Sequence, residues 1–234
     1  MEVTPDIAEF IGIIMGDRCL TRYISKRRTD YRIYISGGHE EIEFFNFIKI
    51  KLDKLFLHKC HILVKKDGLL LILDNKKALE FFEKSGVPVG KKPKTMKIPS
   101  LILKDKKLSY SFLRGLADTD FSVCFRKGGK KVGNKHSYPR ITASSISGNL
   151  LEDVTKILDS LNISYFFYNR DKKTNFGEFR EYIIDINGRR NFQLWMEHIG
   201  FSNKKHLSKI EVWKKLGYCP PHTTYEERLK LLEQ

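Results

Sequence analysis

The hydrophobic positions along the chain alternate between helical and strand-like spacing in an order that occurs twice. The first half shows helical spacing at about 5–17, 40–56 and 75–84, and two-residue alternation at 19–26, 31–36, 60–66 and 69–73. The second half repeats the order, with helices at 108–120, 148–161 and 190–199 and strands at 121–127, 138–146, 163–169 and 178–186. The pattern therefore predicts an α+β fold, a tandem duplication of αββαββα halves.

Turn-forming residues separate these halves and suggest the domain boundaries. Prolines, glycines and lysines concentrate between Val87 and Pro99, which indicates a connection between domains. Two further helical segments follow Gly200, the first at about 204–216. We therefore predict a first half at 1–86, a linker at 87–106, a second half at 107–200 and a C-terminal helical appendage at 201–234.

One short stretch occurs in both halves, as Phe10–Asp17 and again 103 residues later as Leu113–Asp120. Each copy has helical spacing, carries small residues at every fourth position and ends on an aspartate. Glycine inside a helix costs about 1 kcal/mol relative to alanine, so its presence in both copies needs a structural reason. We predict that the two helices pack together through their small residues, which are Ala8, Gly12 and Gly16 opposite Ser111, Gly115 and Thr119.

The two aspartates, Asp17 and Asp120, are predicted to lie where each helix ends and a strand begins. A carboxylate is unfavourable at the negative end of a helix dipole, and two carboxylates brought together repel each other. Mg²⁺ offsets both costs, because it takes oxygen ligands and is often held by one or two carboxylates together with water and substrate phosphate. The sequence therefore predicts a divalent metal site for phosphodiester hydrolysis.

The strands that follow these aspartates each have an apolar face and a polar face. Hydroxyl, arginine and tyrosine side chains of this kind are suited to reading base edges in the major groove, and basic turns are suited to phosphates. The candidate DNA-binding residues are Thr21, Tyr23, Ser25, Arg27, Arg28, Arg32, Tyr34, Ser36, Ser122, Arg126, Lys130, Lys131, Arg140, Thr142, Ser144, Arg170 and Lys172.

Composition favours a polyanionic partner. The chain has 43 basic and 28 acidic residues and a formal net charge of +15, which indicates nucleic acid ahead of an anionic membrane. It has no apolar run long enough to cross a bilayer and no signal peptide, so we expect a soluble, intracellular protein of the cytoplasm or nucleoid. The four cysteines form no CxxC pair, and buried thiols are expected.

The duplicated stretch resembles the two signature motifs of the LAGLIDADG homing endonuclease family in its monomeric, two-motif form. The resemblance implies a pseudo-two-fold saddle with two antiparallel sheets and a central pair of motif helices. It also implies an intron-encoded, site-specific nuclease that cuts both strands of a long, asymmetric DNA target with Mg²⁺. Asp17 and Asp120 would be the catalytic residues, with two or three divalent ions between them and the carbonyls of Gly16 and Thr119 nearby.

Departures from the family pattern keep two other functions open. The glycine that commonly follows the last motif acid is Arg18 in the first copy and Phe121 in the second, and Arg18 is expected to reduce cleavage. One alternative is an intron maturase that binds intron RNA, and the other is a DNA-binding protein that no longer cuts. The basic residues that would assist catalysis are Lys94, Lys97, Lys205 and Lys209.

Overall fold

The fold is described from a computed structural model of the 234-residue chain. The structure describes residues 2–24, 29–90, 93–128, 135–174 and 177–234, and of residues 17–19, 23 and 24 the backbone only. Contacts divide the chain into two compact units, Met1–Thr119 and Asp120–Gln234.

The first unit contains one complete αββαββα repeat. Its elements are α1 (Pro5–Asp17), β1 (Arg18–Ile24), β2 (Thr29–Gly37), a 3₁₀ turn (His39–Glu41), α2 (Ile42–Phe56), β3 (His61–Lys65), β4 (Gly68–Asp74) and α3 (Lys76–Lys84). The strands form an antiparallel sheet in the order β1-β2-β4-β3. Helix α3 was predicted to begin at about Asn75, and Asn75 is its N-cap, because its side chain accepts a hydrogen bond from the Ala78 amide.

The second repeat has the same order, and its first helix belongs to the first compact unit. After α4 (Ser100–Leu103) and α5 (Lys106–Asp120), the chain forms β5 (Phe121–Lys127), β6 (His136–Ser145), α6 (Gly148–Ser160), β7 (Phe166–Thr174), β8 (Gly177–Asn187) and α7 (Arg189–His198). Its antiparallel sheet has the order β5-β6-β8-β7, which is equivalent to that of the first sheet. The predicted α+β class and the duplicated αββαββα order are therefore confirmed.

In the described part of the segment 87–106, predicted as a linker, several apolar side chains are buried. Val87, Met96 and Ile98 are buried, and Ile102 of α4 is fully buried. These apolar side chains are scattered among lysines and prolines, so no regular period in the sequence indicated them.

Two helices follow the second repeat, α8 (Lys204–Leu216) and α9 (Tyr225–Glu233). Helix α8 packs against β5 of its own unit. The Trp213 ring stacks on Phe125 at 5.3 Å between centroids and meets Phe192 edge-on at 5.4 Å, while its indole nitrogen donates to the Ser137 carbonyl. Helix α8 thus forms part of the core of the second unit.

The strand predicted at 163–169 extends further than expected, because β7 continues to Thr174 and β8 begins at Gly177. The polar residues in this region are paired across the strands, with Asp171 directly opposite Arg180 and Lys173 opposite Glu178. Both pairs form ion pairs, at 3.0 and 2.8 Å. Polar composition had indicated a loop, but opposite charges facing each other stabilise an exposed strand pair.

The packing of the two faces of each sheet follows the apolar alternation. One face of the first sheet buries Leu20, Ile33 and Leu71. One face of the second sheet buries Val123, Ile141 and Ile184. Within the described part of the chain, no helix has the length and apolar character needed to cross a membrane.

Candidate nucleic-acid interface

The two motif helices, α1 and α5, contact each other through glycine. A Cβ atom added to Gly12 would lie 2.1 Å from the Phe112 carbonyl oxygen, and one added to Gly115 would lie 2.0 Å from the Glu9 carbonyl oxygen. Real Cβ atoms do not approach backbone oxygens so closely. The backbones of the two helices therefore meet at a distance that only glycine allows at both positions.

The other small residues of this pattern lie on the same helices. Ala8 and Ser111 are buried, as is Gly16 at the end of α1. The Thr119 hydroxyl donates to the Leu116 carbonyl of its own helix at 3.0 Å. Thr119 is thus oriented by α5 itself.

An ion pair next to these glycines was not predicted from the sequence. Arg114 donates from Nε and Nη2 to the two carboxylate oxygens of Glu9, at 3.1 and 2.9 Å. The Glu9 side chain is 4% exposed, and the hydrogen bond to it raises the pKa of Arg114. Glu9 interrupts the apolar pattern of α1, which was the available signal for a buried partner.

The aspartates that end the motif helices differ in what the structure describes. Helix α1 ends at Asp17, but the Asp17, Arg18 and Cys19 side chains lie outside the described part of the chain. Asp120 ends α5 and is half-buried. Among the side chains described, no three His, Cys, Asp or Glu residues form a cluster able to hold a metal ion.

Asp120 lines a polar cleft of about 250 Å³ over the second sheet. The strand register places the predicted polar residues on one face, because Ser122 is opposite Thr142 and Thr142 is opposite Asp185. Six of the predicted site residues line this cleft, namely Asp120 itself, Ser122, Arg140, Thr142, Ser144 and Arg170. The structure thus brings the six together on one surface.

Asp185 lies at the centre of this polar face and was not among the sequence-derived candidates. Arg140 donates to it from Nε at 3.0 Å and also from Nη2, and Thr142 donates at 2.6 Å. Tyr168 donates to the second carboxylate oxygen at 3.2 Å. Burial favours the neutral acid, but the hydrogen bonds from Arg140 and Thr142 outweigh it and lower the pKa of Asp185.

A second acid, Glu181, pairs with the basic residues at the outer edge of the same face. Arg170 donates to it at 2.8 Å and Lys172 at 3.4 Å. Burial again opposes ionisation, and the hydrogen bonds from Arg170 and Ser144 lower the pKa of Glu181. Asp185 lies within an apolar run of β8, where the sequence pattern indicated only a core strand, and Glu181 directly precedes that run.

The polar face of the first sheet has a related arrangement. Arg32 donates to Asp74 at 3.1 Å and to the Tyr34 hydroxyl at 3.4 Å, and it lies opposite Thr21 in the strand register. Ser36 is exposed on the same strand. Six other candidates lie outside the described side chains, namely Tyr23, Ser25, Arg27, Arg28, Lys130 and Lys131.

The lysines suggested to assist catalysis lie in different surroundings. Lys209 is half-buried on α8, and its ammonium group lies 3.4 Å from the Val123 carbonyl of β5. Lys205 is half-buried one turn earlier, whereas Lys94 and Lys97 are exposed. The cysteines are consistent with the expected thiols, since Cys60 and Cys219 are buried and neither they nor Cys124 is paired.

Comparison with known proteins gives one family match and two curated relatives. Residues 108–200 match the model of the LAGLIDADG-like domain. The chain is 25% identical over 230 residues to a probable translation initiation factor IF-2 of Thermococcus kodakarensis, covering 95% of the chain and 17% of that protein. It is 27% identical over 207 residues to a replication factor C small subunit of Methanocaldococcus jannaschii, covering 88% of this chain and 10% of that protein. The chain thus spans less than a fifth of either relative.

Solved structures share the fold across both repeats. The homing endonuclease I-DmoI in complex with DNA and Mn superposes with a TM-score of 0.58 at 17% identity, covering 85% of this chain and 98% of that one. The LAGLIDADG meganuclease I-AabMI bound to uncleaved DNA gives a TM-score of 0.55 at 12% identity, covering 98% of this chain and 97% of that one. The chain therefore has the two-repeat fold of the LAGLIDADG meganucleases, and its residues 108–200 match the LAGLIDADG-like domain.

Proposed function

We propose that the protein is a site-specific DNA endonuclease that uses divalent metal to cut both strands of a long, asymmetric target. The observation that carries this proposal is the glycine-mediated packing of α1 and α5, because each helix ends on an aspartate that leads into a strand. Close packing of the two helices does not require an acid at the end of either one, and a carboxylate is unfavourable at that position.

The polar sheet faces supply the surface that such an enzyme needs. Arginine and hydroxyl side chains occupy adjacent positions on β5 and β6, where they would contact base edges in the major groove. The fold's solved relatives include complexes with DNA, which supports a role for these faces in DNA binding. The excess of basic residues would supply phosphate contacts.

Asp17 and Asp120 are the proposed metal ligands. The described donor set fits a hard cation, because Asp120 with its carboxylate and Ser122 with its hydroxyl both line the polar cleft. A bound Mg²⁺ would activate water and stabilise the leaving oxygen of the phosphodiester. Arg140 and Ser122, which share the cleft with Asp120, would orient the DNA backbone or bases beside it.

We also propose that the chain acts as a monomer and comes from a mobile genetic element, an intron or an intein. The two αββαββα repeats are already joined in one chain, so the motif-helix pair needs no second copy. The curated relatives have different names, yet each contains a similar segment that is a small fraction of its length. A segment shared by otherwise different proteins is what insertion of a mobile element would produce.

The test is cleavage of a library of long randomised duplexes in Mg²⁺, followed by sequencing of the ends produced. We expect cuts within one preferred sequence, with short 3′ overhangs, and no product in excess EDTA. Sequence-selective binding without cleavage in Mg²⁺ or Mn²⁺ would instead support the non-cleaving DNA-binding alternative. Preferential binding of intron RNA over duplex DNA would support the maturase alternative.

A further inference from the structure

We propose that Asp185 is a positioning residue that holds Arg140 in the orientation that selects guanine in the DNA target. This proposal rests on the proposed function, because it assumes that the polar face of the second sheet contacts DNA. Asp185 itself is 8% exposed in its side chain, so it is not expected to touch a base.

The first step is the geometry of the guanidinium. Arg140 uses Nε and one hydrogen of Nη2 for the same carboxylate oxygen of Asp185. An arginine has five donor hydrogens in a rigid plane, so the Nη1 and Nη2 edge is left for another acceptor. This end-on edge matches the O6 and N7 acceptors that guanine presents in the major groove.

The second step is the rigidity of the carboxylate. Thr142 donates to the same Asp185 oxygen as Arg140, and Tyr168 donates to the other one. These donors lie on β6 and β7, on either side of the β8 residue that they contact. A carboxylate fixed from both neighbouring strands cannot rotate, and the plane of the arginine is fixed with it.

The third step is charge. Asp185 compensates one arginine charge within the cleft, which lowers the attraction of this surface for any phosphate backbone. If this position served affinity for DNA alone, a basic or neutral residue would suit it better than an acid. The Asp185 charge weakens the attraction to any phosphate backbone, while the fixed arginine can still distinguish one base from another. The arrangement therefore favours discrimination between bases over tight binding.

The strand register supplies a matched control on the same sheet. Asp171 pairs with Arg180 directly across β7 and β8, one position along from the Arg170–Glu181 pair, so it lies on the opposite face. Both side chains of this pair are largely exposed. Asp171→Asn changes the net charge as Asp185→Asn does, without altering the polar face.

The experiment is selection of bound sequences from long randomised duplexes in Ca²⁺ and without Mg²⁺, using wild type, Asp185→Asn and Asp171→Asn. We expect wild type to prefer guanine at a defined position, and Asp185→Asn to reduce that preference by about 5- to 100-fold. Its affinity for random duplex should rise, with a salt slope steeper by about one unit. Asp171→Asn should keep the wild-type preference.

Thermal unfolding of each variant separates a folding defect from a loss of positioning. If Asp185→Asn does not fold, Tyr168→Phe and Thr142→Val test the proposal instead. Each of these substitutions removes one hydrogen-bond donor to Asp185 and keeps the Asp185 charge. We expect each variant to lose part of the guanine preference. A folded Asp185→Asn, or that pair of variants, with the full wild-type preference would overturn the proposal. Absence of any DNA binding by wild type would overturn the proposed function itself.

Discussion

Arg114 donates two hydrogen bonds to the buried carboxylate of Glu9, at 3.1 and 2.9 Å, beside the glycines where the motif helices meet. The pair has no equivalent in the duplication, because Ile11 corresponds to Arg114 and Phe112 corresponds to Glu9. Pairing α1 with a second copy of itself would therefore leave Glu9 without this arginine. The contact favours the joined pair of helices over dimers of one half.

The first prediction concerns the glycine contact. Gly12→Ala should lower the free energy of unfolding by about 3 kcal/mol or prevent folding, because a methyl group would overlap the Phe112 carbonyl oxygen. Chemical denaturation followed by circular dichroism measures the loss. Gly38→Ala is the control, since a Cβ there would meet Glu41 at an ordinary 3.6 Å. Equal stability of the two variants would contradict the close packing.

The second prediction concerns the ion pair. Arg114→Met should cost about 2–3 kcal/mol of stability, because a buried Glu9 charge would lose its bidentate partner. Lys76→Met provides a comparison, since Lys76 forms an exposed i,i+4 pair with Glu80 at 3.7 Å and should change stability by about 0.5 kcal/mol or less. A loss of stability no greater in Arg114→Met than in Lys76→Met would argue against a structural role for the pair.

The third prediction concerns the proposed metal ligands. Asp17→Asn and Asp120→Asn should each abolish double-strand cleavage and leave affinity for the target largely unchanged, since each removes a charged ligand but no contact to bases. Cleavage of a plasmid carrying the selected target measures the first effect, and gel-shift titration in Ca²⁺ measures the second. Asp171→Asn is the control and should cut normally. Linear product from either of the first two variants would refute their assignment.

The fourth prediction concerns the basic surface. The affinity for duplex DNA should fall steeply with salt, by a logarithmic slope of about −4 to −8, because several phosphate contacts each release a counterion. Arg126→Gln, at an exposed position of β5, should reduce the slope by about one unit. Lys230→Gln on α9 should leave it unchanged, and a flat salt response in wild type would contradict a phosphate-binding surface.

The fifth prediction concerns pH. The pKa of Asp185 is lowered in the folded protein from an ordinary 3.8, so its contribution to stability is present above that value and is lost as pH falls through the folded pKa. Wild type should therefore be more stable than Asp185→Asn at neutral pH, and the difference should shrink as the pH falls below 3.8. Denaturant unfolding at a series of pH values measures this, and a constant difference would indicate that Asp185 is not ionised in the fold.

The sequence by itself determined the order of elements, because the periods of helices and strands are local properties of the chain. The alternation at Arg140, Thr142 and Ser144 placed them on one polar face, as the register shows. The glycines at positions 12 and 115 also indicated a close helix contact, since glycine inside a helix is costly without one.

Only the tertiary structure decided which polar groups meet. Glu9 and Arg114 are 105 residues apart, and Arg140 and Asp185 are 45 apart, so no local pattern pairs them. The length of the β7–β8 hairpin depends on the same kind of information, because charges that indicate a loop one at a time stabilise strands when they face each other. Partner choice between distant residues is a property of the folded chain.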